Sequence, residues 1–186
     1  MIIGNNTEVD VGFVLHFFQP WWNDPEIVRR VTDRCYTPIF KFAATTSAPF
    51  VCTVNVHAGL IEFWQKHYPG TFGYFQSACA AGKLELLGTA REHPIIPLIP
   101  IAETRKQIWF DEEHKIRLGI RRNSSGFWFP EAAFSQDTLS EVWRAGYGWT
   151  VLDDNSFPHH EKPYDYILVC RDMRILLRSW HWSKYL

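Results

Sequence analysis

The sequence predicts an α/β fold in which a parallel sheet, covered on both faces, curls into a (β/α) barrel. Three observations carry that prediction. Short apolar runs such as Val11–His16, Pro49–Val56 and Trp149–Leu152 lack the alternation of a half-solvated antiparallel strand. Helical segments separate them, the pattern of βαβ units with right-handed crossovers. Polar residues gather at or just beyond the run ends: His16 and Gln19, Asn55 and His57, His93, Glu131, and Asp153-Asp154. Crossovers of one hand bring such ends to a single rim. A complete barrel takes about 250 residues, so a chain of 186 is expected to be a barrel truncated at its C-terminus.

The elements follow in order. After the first strand, Asn23-Asp24-Pro25 reads as a cap with proline in the first turn, opening a helix to about Thr45. Pro49–Val56 is the second strand. Gly59–Ala81 is helical, interrupted near Pro69-Gly70 and stopped by Gly82. Lys83–Leu87 is the third strand, and the three prolines between His93 and Pro100 impose an apolar loop. Ile101–Ile120 is a charged amphipathic helix. Gly126–Phe129 forms the fourth strand, and Pro130 delivers Glu131 just past it. Ser135 caps the next helix, with Asp137 in its first turn and Leu139, Val142 and Trp143 on its buried face. Trp149–Leu152 and Tyr166–Cys170 are the fifth and sixth strands, and Arg174–Trp182 reads as a further one. Truncation predicts uncovered apolar surface around Ile175, Leu176 and Leu177.

Composition narrows the function. Hydrophobic residues at 46% and charged residues at 21% provide a core and exclude disorder. A net charge of -1 without a basic block gives nucleic acid nothing to bind. No apolar run approaches the ~18 residues of a membrane span. Met1–Asp10 lacks the apolar stretch of a secretory signal, and the four cysteines are isolated, so a cytoplasmic location is expected. Nine tryptophans offer flat faces suited to stacking on sugars as well as to packing.

Glu131 stands at the strand edge where catalytic groups collect, flanked by rings expected to desolvate it in part. Glu85, between Leu84 and Leu86, is a carboxylate in an apolar strand, and it needs either a structural ion pair or a functional reason. The histidines contain no His-x-x-x-His pair, and His159-His160 are adjacent and project differently, so no cofactor or metal is expected. Neither a Gly-x-Ser-x-Gly elbow nor a Gly-rich phosphate loop is present. Paired carboxylates remain as the chemistry.

Taken together, these stretches resemble the family-57 glycoside hydrolases, which act on α-glucans. The family's His-x-His-Gln-Pro appears as His16-Phe17-Phe18-Gln19-Pro20. Its Gly-x-x-Glu strand and His-Pro-x-x-Pro-Leu loop appear as Gly82-Lys83-Leu84-Glu85 and His93-Pro94-Ile95-Ile96-Pro97-Leu98. Its Trp-x-Pro-Glu appears as Trp128-Phe129-Pro130-Glu131. The resemblance implies an incomplete (β/α)7 barrel, with residues 1–186 as the N-terminal portion of that domain. It also implies a retaining mechanism with Glu131 as nucleophile, acting on an oligo- or polysaccharide. His16, Gln19, Glu85, His93, Trp128 and Asp154 are then expected to bind substrate.

Two positions depart from the family. Phe18 replaces its second histidine, and Ser179 in Arg178-Ser179-Trp180-His181-Trp182-Ser183 stands where its acid/base aspartate belongs. Serine cannot protonate a leaving oxygen as a carboxylic acid does. Asp172 leads as the second catalytic carboxylate, ahead of Asp154 and Glu85. Two other readings compete. A metal-dependent polysaccharide deacetylase needs Asp153 or Asp154 and two histidines within ~2.0–2.2 Å of a metal. A non-catalytic sugar-binding relative is favoured by Phe18 and Ser179.

Overall fold

The computed structural model describes residues 12–20, 22–156 and 167–183. Val11, His159, His160 and Tyr166, which figure in the expectations above, lie outside those residues. Three strands, β1 (Val14–Phe17), β2 (Cys52–Val56) and β3 (Leu84–Leu87), pair in parallel in that order. A parallel bridge between Gly88 and Phe127 joins them to β4 (Gly126–Phe127), which pairs with β5 (Trp149–Asp153). Next to β5 lies β7 (Met173–Arg178), again parallel. Among the described residues, six parallel strands thus run in chain order, as the alternation predicts.

The seventh strand differs. β6 (Leu168–Cys170) pairs antiparallel with β7 through a tight hairpin. The expectation of parallel strands throughout fails there because only two residues, Arg171 and Asp172, separate β6 from β7, too few for a crossover. Ile175 is buried, and Leu177 packs against the same core; only Leu176 stays exposed, so the apolar surface expected at this end is smaller than predicted.

Local chemistry sets the helices. Asp24 accepts from the Glu26 amide at 2.9 Å to cap α1 (Pro25–Val31). A π-helical stretch, Thr32–Tyr36, runs on into α2 (Thr37–Thr45). The break at Pro69 separates α3 (Ala58–His67) from α4 (Pro69–Ala80). α5 spans Ile101–Arg117, and α7 is the short Trp180–Ser183. α6 (Gln136–Arg144) opens with a capping box, Thr138 N–H to Ser135 Oγ at 3.3 Å and Ser135 N–H to Thr138 Oγ1 at 2.8 Å. Leu139 and Val142 bury its inner face, but Trp143, assigned to the same stripe, lies half-exposed at its edge.

Register divides each strand between two faces. Val54, Val56, Leu84 and Leu86 pack with Phe40, Trp64 and Phe75 of the helices. The opposite face carries Val14, Thr53 and Glu85 in one row, then His16, Asn55 and Leu87 in the next. Gly126 continues that second row because Trp149 lies flat over it. A methyl group there would stand 2.4 Å from Trp149 Cζ2 and 2.5 Å from Leu87 Cδ2. Gly126→Ala should therefore cost about 1–3 kcal/mol, read as a shifted urea midpoint with unchanged slope.

Beneath β2 and β3 sits a buried ion pair. Asp111 accepts from Lys115 Nζ at 2.6 Å and from the Ala58 amide, the first of α3, at 2.7 Å. Lys115 also reaches the Leu87 carbonyl at 3.4 Å. This pair fixes where α3 begins, and hence where the end of β2 points.

Candidate active site

Glu131 is delivered by a strained turn. Its φ is 56° and that of Ala132 is 52°, the left-handed region that costs a non-glycine residue about 1–2 kcal/mol. His93, in the loop after β3, has φ 54°. The turn aims the Glu131 side chain outward, and 64% of its surface meets solvent. The flanking aromatics therefore do not bury it as the sequence suggested. They turn away instead, with Phe127 and Phe129 fully buried in the second core.

A wall of rings stands beside this carboxylate. His93 stacks on Phe18 at 4.1 Å and on His16 at 5.2 Å between centroids. His16 stacks on Trp128 at 5.0 Å, and Phe18 lies 5.4 Å from His57. The His93 side chain is 5% exposed, with Nε2 3.5 Å from Glu131 Oε1. That separation suits a loose ion pair, yet burial, with His16 and His57 adding to it, pushes the His93 pKa down to about 3. The ring is neutral, because a contact so long returns too little to offset dehydration.

His57 behaves alike. Its Nε2 donates to the Gln19 carbonyl at 3.4 Å, and burial lowers its pKa to about 4. His16 shares an Asn55 contact of 2.7 Å through Nδ1. The packing around it lowers its pKa although one side of the ring meets solvent; the Asn55 bond and Glu131 oppose that shift, and Arg178 adds to it. Four buried nitrogens in this cluster have no hydrogen-bond partner among the described residues: Asn55 Nδ2, His57 Nδ1, His93 Nε2 and Trp128 Nε1. Asn55 and Trp128 supply N–H donors, while His57 Nδ1 is left as an acceptor by its other bond. All four lie behind the ring surfaces, closed to solvent.

Stability should follow pH through these rings. The folded pKa values of His57 and His93 lie below the unfolded value of about 6.5, so the unfolded chain takes up protons first. Their contribution is complete above about pH 6.5 and fades as pH falls toward 4. The expected loss is on the order of 2–3 kcal/mol from each, measurable by urea unfolding across that range.

The other residues fall into place as follows. Trp128 is a buried backing for His16 rather than an open platform. The Gln19 side chain accepts from Asn23 Nδ2 at 2.6 Å and so holds its own loop. Glu85 lies one row below His16, at the foot of β3, where the hydroxyls of Thr53 (2.8 Å) and Ser124 (2.7 Å) bind its two oxygens. Among the described residues, neither lysine nor arginine pairs with it there. Asp154 is buried directly after β5, whose end contacts the Pro130–Ala132 turn. Asp153, beside it, is paired with Arg178 at the end of β7.

Asp172, expected beside Glu131, lies at the far end of β7. It occupies the hairpin turn ahead of β7, and six residues of strand, about 20 Å, separate it from the rim at Arg178. A proton donor must reach the bond it cleaves, so Asp172 is not placed to act with Glu131. Among the described residues, no group of three His, Cys, Asp or Glu side chains is arranged to hold a metal ion. Nor is any described helix long and apolar enough to cross a membrane. Asn55 carries more of the site than its place at a strand end revealed, and only the register of β1 against β2 exposes it.

Parallel strands that end in an exposed carboxylate beside a wall of stacked rings define an α/β fold with polar side chains gathered at one rim. The chain belongs to glycosyl hydrolase family 57, whose model matches residues 12–184. It is similar to an alpha-amylase of Pyrococcus horikoshii, 23% identical over 145 residues, or 78% of this chain and 22% of that protein. It is also similar to a 4-alpha-glucanotransferase of Thermococcus litoralis, 24% identical over 147 residues, again 78% and 22%. The crystal structure of 4-alpha-glucanotransferase from Thermococcus litoralis superposes with a TM-score of 0.82 at 18% identity, covering 94% of this chain and 28% of that one. The chain thus spans about a fifth of the length of the curated relatives it matches.

Proposed function

We propose that this chain carries the nucleophile of a retaining enzyme, hydrolase or glucanotransferase, acting on an α-linked glucose oligo- or polysaccharide. The observation that carries the reading is Glu131, whose exposed carboxylate is held by a left-handed turn beside the unpartnered nitrogens of the ring wall. In this reading a carboxylate oxygen attacks the anomeric carbon as the glycosidic oxygen leaves with a proton, and water or a sugar hydroxyl then displaces Glu131. Neutral His57 and His93 suit that task, since they form no ion pair with the nucleophile. With Asp172 remote and Glu85 engaged at the foot of β3, Asp154 becomes the candidate proton donor. We read the six parallel strands as part of an incomplete seven-stranded barrel, with residues 1–186 corresponding to its N-terminal portion.

The test is stereochemical. Incubated with maltoheptaose, the chain should release product whose first-formed anomer is α by proton NMR. A β anomer would overturn the retaining reading. Ser179, at the position of the family's acid, favours a second one: a site that binds maltooligosaccharide without cleaving it. Calorimetric binding with no product, and turnover appearing in Ser179→Asp, would establish that alternative.

A further inference from the structure

We infer that Asn55 is a positioning residue, which fixes the ring orientation and tautomer of His16 so that Nε2 faces substrate as a bare acceptor. The inference rests on the carbohydrate reading for what His16 meets, but not for how His16 is held. His16 and Asn55 are direct partners in the parallel register of β1 and β2, so their side chains leave the sheet on one face. Asn55 Oδ1 lies 2.7 Å from His16 Nδ1. An amide oxygen only accepts, so Nδ1 must carry the proton, and a neutral ring then has its lone pair on Nε2. Asn55 is 1% exposed, and so its own orientation is set by the strand rather than by solvent.

The groups that face His16 agree with a neutral ring. Glu131 favours the cation, while Arg178 at the end of β7 and the dehydrating stack oppose it. His93 and Trp128 clamp the ring at 5.2 and 5.0 Å, which denies it the flip that would exchange its nitrogens. A sugar hydroxyl meeting this nitrogen must donate to it. The bare nitrogen thereby discriminates between a hydroxyl and a substituent that can only accept, such as a methyl ether or fluorine. Removing a hydrogen-bond partner from a site built for it discriminates far more strongly than trimming an apolar contact.

Nitrogen-15 NMR of the 186-residue chain tests the inference without any turnover. At neutral pH the wild-type His16 should show a protonated Nδ1 and an unprotonated Nε2. Asn55→Leu keeps the volume and removes the acceptor, and the ring should shift toward the Nε2-protonated form that free imidazole side chains favour. Asn55→Asp should raise the His16 titration midpoint above about 6.5, because it adds a carboxylate partner. Either variant should raise KM or Kd for maltoheptaose by about tenfold or more, with Asn55→Leu leaving the ordering of natural over deoxyfluoro sugars weakened. An Nε2-protonated His16 in the wild type overturns the assignment, and needs no variant to fold. An altered tautomer with unchanged sugar affinity overturns the substrate-facing role. Correct NMR behaviour in a chain that binds no sugar instead sets aside the carbohydrate reading and leaves the Asn55 control of His16 standing.

Discussion

Asp111→Ala should cost about 3–5 kcal/mol, the largest single loss of stability expected in the described residues outside the aromatic core. The substitution leaves Lys115 as an uncompensated cation that is 8% exposed, and it orphans the first amide of α3. Lys115→Met should be milder, because Asp111 then keeps its amide bond. Replacing both with leucine and methionine should recover much of the loss, since two charges and their dehydration vanish together. A double-mutant cycle by urea unfolding reads the coupling. If Asp111→Ala falls within about 1 kcal/mol of wild type, the pair is not the anchor of α3 described above. Activity should fall as well, because His57 immediately precedes Ala58 and its ring backs Phe18.

Glu131→Gln should abolish turnover of maltooligosaccharide, by on the order of 10^4-fold or more, while leaving their affinity within a few fold. The amide keeps the shape of the side chain and, like glutamate, tolerates the left-handed turn no better or worse. What it loses is the ability to form a glycosyl ester. Retained turnover would remove Glu131 from the chemistry, and a matching collapse of binding would make it a recognition group. The unfolding midpoint should stay put, given how much of the side chain lies in solvent.

The parallel order of the strands and the position of Glu131 were legible because both depend on local pattern. Apolar runs, Asp24 and Ser135 as caps, and the stop at Gly82 each mark an element from within a few residues. Features set by contacts between distant segments were not. Nothing near Glu85 in the chain announces that Thr53 and Ser124 satisfy it. The hairpin of β6 on β7 escaped notice because its turn lacks the usual Gly or Asn, and Arg171 takes the left-handed position itself with φ 54°. Asp172 was expected at the rim because its segment lies nearest in sequence to the position of the family's acid, and closeness in sequence does not reveal that the length of β7 intervenes. Trp143 satisfies the helical period but faces outward, since the groove between α6 and the hairpin leaves it without a covering neighbour.

The left-handed backbone at His93 and Glu131 has a consequence for anyone who selects variants of this protein for thermal robustness. At those two positions the chain geometry prefers glycine or asparagine, and a library screened on melting temperature alone should enrich them there. The first substitutions to rise would then be those that dismantle the site. A stability-driven consensus drawn from such a library would converge on a tighter molecule without the exposed carboxylate of Glu131, so any engineering campaign has to hold residues 93 and 131 fixed from the outset.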